Sequence, residues 1–450
     1  MSNLGATQED EVCAREAGQR PLMIRSTLST ASNGTPHESR VVFAAPCGLS
    51  IGGVTTWTLE MCRRLPSRGH RGIVIEHEPQ KVKPFGPSFR AEAQVVSCSS
   101  AFSFTTASQN LAAYTSVLPA VFVPNWSDGT YAICARLSRT HAEKMRVLGV
   151  CHTCHPFYFK TLTFYEPLIH RFLAVSEECA RELRKRLPAR TKDILVRPYA
   201  VDRCRHLDRV YTGPGRPLQL LYAGRIVEKQ KRVLNLLPLA EALHQRRVDF
   251  RLRIIGAGPD KKRLGQAIHR LPPDLRPRIS LENEMPPARI LTELCATDIC
   301  LLVSEYEGTS LFMLEGMARG CVPVVTRVSG TAGVIDHEHN GFTVPVGKVQ
   351  EMAQVIQKLD RDRSLLQRLG TNAHAKLGHY EYGPYLTWFD GLIQELWAER
   401  PRAWPAWRTW LPPSTITRGI VRSGIRSGRS LAGKIPGVKP SWSWFCSRFR

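Results

Sequence analysis

The chain alternates short apolar runs with longer amphipathic stretches, beginning at "RVVFAAP" near residue 40. Short runs rich in Val, Ile and Leu, bounded by turn residues, read as buried strands, and apolar positions at helical spacing read as helices. After the first run comes "CGLSIGGVTTWTLEMCRRLPSRGH", Gly-rich and then helical through Trp57, Leu59, Cys62 and Leu65, with a stop between Pro66 and Gly69. "RGIVIEH", "QVVSC", "AVFVPN", "RVLGVCH" and "RFLAVS" follow as strands with helices between or after them, one placed around residues 160–170. The second half repeats the rhythm, with strands "LQLLYAG", "FRLRIIGAG", "RISLEN", "DICLLVS" and "VPVVTR" separated by helices such as "VLNLLPLAEALHQR", "KKRLGQAIHRL" and "TSLFMLEGMARG". Such alternation predicts a parallel α/β sheet, and its repetition predicts two doubly wound halves in tandem.

Length supports two halves, because 450 residues exceed the roughly 250–300 at which a single core stops growing. The break is expected near 203–217, where "RCRHLDRVYTGPGRP" is charged and then rich in Gly and Pro. The expected organisation is a polar, disordered tail over 1–39, an N-terminal domain over 40–205 and a C-terminal domain over 206–380. A helix over 381–400 returns to the N-terminal domain, and a basic tail occupies 401–450. Ligands of open parallel sheets bind beyond the carboxyl ends of the strands, so functional residues are sought in the loops that follow them.

Charge is unevenly placed. Of the formal +23, the last fifty residues supply ten Arg or Lys and no Asp or Glu, together with five of the nine tryptophans. Basic residues interleaved with Trp suit an anionic membrane surface, and the Pro, Gly and Ser of the same stretch fit a disordered tail; the two readings are compatible. Nucleic acid is not an expected partner, since the body of the chain shows no basic stripe or recognisable module. The opening twenty residues are too polar for a secretory signal, and the uncharged stretch from Ala93 to Ser127 is too polar to span a membrane. The thirteen cysteines are scattered singly, which reads as a reduced, cytoplasmic chain, to which the basic tail adds an expected peripheral contact with the membrane.

"VLGVCHTCHPFYF" places Cys151, His152, Cys154 and His155 in a Cys-x-x-Cys-His pattern. Haem attachment needs export and a haem-filled core, zinc needs two more ligands, and a redox dithiol opens a helix, whereas this segment reads as a strand end followed by Pro156. Neither a metal nor a cofactor is expected. The Asp-x-Asp at Asp360 and Asp362 lies on a charged helical face, and Gly256 and Gly258 in "LRIIGAGP" lack the third glycine of a dinucleotide fingerprint, Lys261 standing in its place.

The most informative segment is "VSEYEGTSLFMLEGMARGCVPVVTRVSGTAGV", residues 303–334. A strand ends at a polar turn, and a helix beginning near Ser310 offers unpaired amides and a positive dipole end to an anion. Glu307 and Glu315 stand eight apart across that turn. The spacing resembles the Glu-x7-Glu motif of the retaining glycosyltransferases of family 4, which have the GT-B fold of two Rossmann-like domains facing across a cleft. The resemblance continues through "CVPVVTRVSGTAGVIDHEHNGFTVPVG", "FLAVSEECARELRKR" and "VRPYAVD", and runs from about residue 40 to 395.

The resemblance implies transfer of a sugar, with retention, from a nucleotide-diphosphate sugar to an acceptor; the basic, Trp-rich tail alone points to a glycan or lipid-linked acceptor in cell-surface polysaccharide or glycolipid synthesis. It implies that Glu307 contacts the donor sugar and Glu315 the ribose hydroxyls, with Gly308, Thr309, Ser310 and Leu311 around the donor phosphates. "YAGRIVEKQKRV" resembles the family's Gly-Arg segment, so Arg225 and a lysine would neutralise the leaving diphosphate. The family's lysine lies five positions after the arginine, where this chain has Gln230; one added residue makes Lys231 the equivalent, ahead of Lys229. Gly52 and Gly53 match the N-terminal Gly-rich loop, His152 matches a histidine facing the donor sugar, and His155 would line the acceptor side. A non-catalytic binding homologue and a nucleotide-sugar epimerase of similar fold are the alternatives.

Overall fold

The computed structural model of the chain describes residues 39–45, 52–77, 94–98, 104–203, 207 and 209–409. The N-terminal tail up to residue 38 and the basic tail beyond Thr409 lie outside the described residues.

Two parallel sheets form the body. The first has seven strands: β1 (Ser39–Ala45), β2 (His70–His77), β3 (Gln94–Cys98), β4 (Ala120–Val123), β5 (Met145–Cys151), β6 (Arg171–Ala174) and β7 (Ile194–Val196), in the order β3-β2-β1-β4-β5-β6-β7. The second has six: β8 (Leu218–Ala223), β9 (Phe250–Ile255), β10 (Ile279–Glu282), β11 (Ile299–Leu302), β12 (Val322–Thr326) and β13 (Phe342–Val344), in the order β10-β9-β8-β11-β12-β13. Every neighbouring pair is parallel. Helices cover both faces of such sheets, which is why β4, β5, β11 and β12 are buried along their whole length and read as mainly apolar runs, with Arg146 on β5 the charged exception. In each sheet the chain starts at an inner strand, winds outward, and returns to the other side of that strand, so each has a switch point, β1/β4 and β8/β11.

The sequence pattern is displaced in one place. The helix expected around 160–170 runs over Pro156–Phe164. Pro156 opens it at a position where a missing N–H costs nothing, and Pro167 stands in the 3-10 turn Glu166–Leu168 that follows. Strands β7 and β13 have three residues each at the sheet edges, too short for their runs to stand out.

The two halves share a core. One apolar cluster joins Trp57, Val150 and Val175 of the first half to Leu311, Met313 and Leu314 of the second and to Tyr385, Phe389 and Leu396 of the C-terminal helix Tyr382–Ala398. That helix is tied to the first sheet through Arg146, which is 4% exposed on β5. Its guanidinium donates to the carbonyls of Leu396 (2.8 Å), Trp397 (3.3 Å) and Glu399 (2.9 Å) at the helix end, where carbonyls run short of backbone donors. The same group lies 5.0 Å over the Trp397 ring, and His70 Nε2 meets Asp390 Oδ1 at 2.9 Å.

Arg146→Met keeps a long side chain but removes the guanidinium from all three carbonyls, leaving Leu396 only its bond from the Glu399 N–H. The expected result is a loss of stability on the order of 3 kcal/mol and a lower thermal midpoint by calorimetry. An unchanged midpoint would show that the C-terminal helix is held by apolar packing alone.

Candidate active site

Strand β11 runs out at Val303 into the loop 304–310, and Ser310 caps the helix Leu311–Ala318 by accepting from Met313 N–H at 3.4 Å. Two side chains brace the loop: Thr326 Oγ1 donates to the Ser304 carbonyl at 2.7 Å, and Ser329 Oγ donates to the Glu307 carbonyl. Glu307 is 6% exposed, and its Oε1 accepts from Lys231 Nζ at 2.5 Å and from Ser304 Oγ at 2.6 Å. Lys231 ends the short helix Glu228–Lys231, whose first turn is fixed by Asp260 Oδ2 accepting from Glu228 N–H at 2.8 Å. Of the two lysines weighed from the sequence, Lys231 is the one that meets Glu307. Arg225 is exposed at the end of β8 and donates to Gln230 Oε1 at 2.7 Å.

This loop presses against the strand ends of the first sheet. Gly308 pairs with Thr153 in an antiparallel bridge, and a Cβ on Gly308 would lie 1.9 Å from the His152 carbonyl oxygen. Behind it Gly330 has φ +77°, and a Cβ there would lie 1.4 Å from the Gly308 carbonyl. Only glycine fits at either position. Thr309 Oγ1 donates to the Val175 carbonyl at 2.5 Å, Gly330 N–H donates to Glu178 Oε2 at 3.3 Å, and the His155 and Tyr306 rings are 5.2 Å apart. Gly52 caps the helix Gly53–Arg64 through its carbonyl, which accepts from Thr56 N–H at 2.9 Å, and a Cβ on Gly53 would lie 3.7 Å from Leu311 Cβ. The rest of that Gly-rich loop, 46–51, lies outside the described residues.

His152 follows β5 and is buried, 4% exposed, among Trp57, Tyr158 and Tyr199. Asn125 Nδ2 donates to the Ala44 carbonyl at 2.7 Å, which leaves Asn125 Oδ1 as an acceptor. His152 Nε2 therefore carries the proton and donates to it at 2.8 Å, while Nδ1 accepts from the Tyr199 hydroxyl at 2.7 Å. Burial lowers the imidazole to about 3, so the ring is neutral. Both ring nitrogens are held by protein groups, and the atom His152 brings to the domain contact is its carbonyl oxygen. Sequence reasoning missed Asn125 and Tyr199; the only available signal was their position just after the strands in "AVFVPN" and "VRPYAVD".

Glu315 has different surroundings from Glu307. Burial pushes its carboxyl up to about 8; Arg319 opposes the shift, and Glu60 and Asp202 add to it. The shift favours the protonated acid at neutral pH, and a carboxylic acid can donate one hydrogen bond and accept another. Gly256 and Gly258 allow two loops to touch, since a Cβ on Gly256 would lie 2.0 Å from the Gly224 carbonyl and one on Gly258 2.2 Å from that of Ile226. Lys261, in the place of the third glycine, donates to the carbonyls of Gly256 (3.0 Å) and Glu282 (2.7 Å). Asp360 pairs with Arg363, and Asp362 caps the helix Arg363–Lys376.

A cavity of about 370 Å³ opens between the halves beside Glu307, lined by Cys154, Glu178, Glu305, Tyr306, Arg327 and Ser329 among others. A second, of about 480 Å³, lies where Arg197 meets Lys376, His379 and Tyr385.

Two parallel α/β sheets meeting at their strand ends, with a helix start aimed at the seam, define the two-domain GT-B architecture. Residues 51–205 match Glycosyltransferase Family 4 and residues 217–362 match Glycosyl transferases group 1, and the chain belongs to this family of glycosyltransferases. It is 29% identical over 224 residues to the protein of Salmonella typhimurium named as the colanic acid biosynthesis glycosyltransferase WcaL, covering 47% of this chain and 54% of WcaL. The chain thus spans about half the length of the relatives it matches. The fold is similar to sucrose-phosphate synthase from Thermosynechococcus elongatus, with TM-score 0.65 and 15% identity over 80% of this chain and all of that one. It is also similar to Anabaena HepE in complex with UDP-glucose, with TM-score 0.63 and 16% identity over 79% of this chain and 99% of that one.

Two outcomes follow from the charges. Lys231→Met strands a buried carboxylate, with an expected cost of about 3 kcal/mol that the double variant with Glu307→Gln largely recovers. Thermal unfolding of the cycle checks this, and a double variant no more stable than Lys231→Met would refute the coupling. For Glu315 the folded carboxyl lies above its ordinary 4.5, so the folded protein holds a proton that the unfolded chain releases. Its contribution is present at low pH and lost as pH rises from about 4.5 towards 8, so the stability of Glu315→Gln relative to wild type should increase over that range. A difference that stays flat from acid to mildly alkaline pH in denaturant titrations would count against the burial.

Proposed function

We propose that the protein moves a sugar, with retention of configuration, from a nucleoside-diphosphate sugar to a glycan or lipid-linked acceptor in surface polysaccharide synthesis. The observation that carries this reading is the Lys231–Glu307 pair, held beside the start of helix Leu311–Ala318 where the second domain touches the end of β5. WcaL's name, which places it in colanic acid biosynthesis, and the UDP-glucose of the HepE structure support the acceptor and donor classes.

In this reading the donor diphosphate lies at the helix start, where free amides and the dipole favour it, with Arg225 and Lys231 adding positive charge. Glu307 accepts from a sugar hydroxyl, and Glu315 pairs with the ribose hydroxyls. The acceptor hydroxyl oxygen forms a bond to the anomeric carbon on the face from which the diphosphate leaves. The bond from that carbon to the phosphate oxygen breaks, and the departing diphosphate takes the electron pair and the acceptor's proton. His152, neutral and held at both nitrogens, is not the base; with Asn125 and Tyr199 it sets the shape and polarity of the sugar site. The charge of the leaving group is assigned to side chains and amides, with no step given to a metal.

The acceptor is assigned to the cavity beside Glu307, where Glu178, Glu305 and Arg327 offer hydrogen bonds to hydroxyls and Tyr306 offers a ring face to a sugar. We place the protein in the cytoplasm, a reading supported by nine free thiols among the described residues. No helix among the described residues is long and apolar enough to cross a membrane.

A transfer assay over a panel of nucleoside-diphosphate sugars tests the reading. Turnover is expected to fall by about a hundredfold or more in both Glu307→Gln and Lys231→Met. Unchanged turnover in both variants would sink the site, and sugar conversion without acceptor, read by NMR, would mark an epimerase instead.

A further inference from the structure

The cavity of about 480 Å³ away from Glu307 lies where the chain passes between the two halves. Arg197 and Pro198 follow β7, at the start of the stretch that leads to the second sheet. Lys376 ends the helix Arg363–Lys376, and His379 and Tyr380 stand in the 3-10 turn Leu377–Tyr380 that leads back to the helix Tyr382–Ala398. The two passages are joined: Val201 N–H donates to the Tyr380 carbonyl at 2.8 Å, and Val201 pairs with Glu381 in a parallel bridge. The cavity walls therefore come from both domains and the C-terminal helix, and the volume falls within the roughly 300–1,000 Å³ of ligand pockets.

Arg197 distinguishes this cavity from a packing gap. Its guanidinium carbon is 5.9 Å from the centre of the Tyr385 ring and 5.4 Å from that of Trp388. Among the described residues no carboxylate or carbonyl accepts from it. The rings thus orient a planar group of five donors and leave the donors available. Lys376 Nζ meets Asp336 Oδ2 at 2.9 Å, so Arg197 supplies the charge that nothing offsets. Burial raises the Tyr380 hydroxyl, Lys376 and Arg197 oppose the rise, and Asp336 adds to it, so all three charges act on one wall of the cavity. His379, exposed, contributes a further polar group. Gly333 keeps the space open, since a Cβ there would meet nothing within 4 Å.

We propose that this cavity is a second binding site, for a sugar-sized molecule that carries a carboxylate or a phosphate. Arg197 takes the anion in a bidentate pair, His379 donates beside it, and the Tyr380 and Tyr385 side chains flank the sugar. The occupant touches both halves at once, so its binding favours the arrangement of halves seen here. It also sits near the candidate active site, because the Tyr385 hydroxyl accepts from Trp57 Nε1 at 3.2 Å and the Trp57 ring lies 5.5 Å from that of His152. A link between occupancy and turnover rests on the transfer reading, whereas the site itself does not. An acidic sugar ending a glycan and a free sugar phosphate share this chemistry.

Calorimetric titration of the full chain, without nucleotide sugar, tests the site independently of transfer. Glucose 6-phosphate represents the free sugar phosphate, a glucuronate-ended disaccharide the glycan, and glucose the neutral control. At least one anionic probe is expected to bind about tenfold or more tightly than glucose, and the tighter of the two names the source. Arg197→Gln should weaken that binding at least about tenfold. Gly333→Phe, which fills the cavity from an unobstructed position, should abolish it with little change in thermal midpoint. His379→Gln should weaken it several-fold, and its exposed position keeps the test decisive if Arg197→Gln loosens the fold. Arg327→Gln, which alters the cavity beside Glu307 instead, should leave probe binding unchanged. Failure of both anions to bind, equal binding of glucose, binding retained in Gly333→Phe or in both Arg197→Gln and His379→Gln, or loss in Arg327→Gln would overturn the proposal.

Discussion

At Gly308 the backbone of the second domain lies against the backbone of the first with no room for a side chain between them. The candidate site depends on that contact, because it puts the helix start at Ser310 opposite the end of β5 rather than a side chain's width away. Gly330 supports it from behind at a positive φ, and Thr309, Glu178 and Tyr306 extend it along the ends of β5 and β6. The contact is polar and made largely by main chain, while the apolar cluster beneath it runs through both domains and the C-terminal helix. The polar surface sets register and the apolar one supplies adhesion, since burial is favourable but carries little directional information.

Around that contact the ionisable groups are handled in three ways. Glu307 stays buried because Lys231 and Ser304 pair with it. Glu315, with Arg319 only opposing the effect of burial, has its carboxyl pushed up towards the protonated form. His152 is neutral, its tautomer dictated by an asparagine whose own orientation is set by a strand carbonyl. Each arrangement avoids an unpaired charge in a poorly solvated place, which would cost several kcal/mol. In the proposed reaction the diphosphate brings the next charges, and it arrives where Lys231 and helix amides already point.

The resemblance read from residues 303–334 agrees with the family, and the strands read from apolar runs agree with the two sheets because a strand buried on both faces needs no context to be recognised. Short edge strands escaped notice, since three residues of Ile-Leu-Val or Phe-Thr-Val carry no periodicity. The roles proposed for Gly308 and Lys231 were legible as positions in a motif; the reasons those residue types are required there were not. Asn125 and Tyr199 offered no signal beyond their place after a strand, because each acts on His152, remote in sequence; Ser304 acts on Glu307 three residues on, but nothing in the turn marked it as a partner. The Cys-x-x-Cys-His pattern was the loudest local signal, yet Cys151 ends a buried strand with its thiol donating to the Thr153 carbonyl at 3.5 Å, and Cys154 lines the cleft.

Local patterning was enough for the elements, their parallel arrangement and the helix start that invites a phosphate, because apolar periodicity and turn chemistry act within a few residues of one another. It was also enough for the charge asymmetry of the C-terminal stretch, which composition alone carries. The raised carboxyl of Glu315, the locked tautomer of His152, the partner of Lys231 and the burial of Trp404 were decided by tertiary structure. Each depends on desolvation or on a hydrogen-bond partner tens to hundreds of residues away, and neither is a property of a sequence segment.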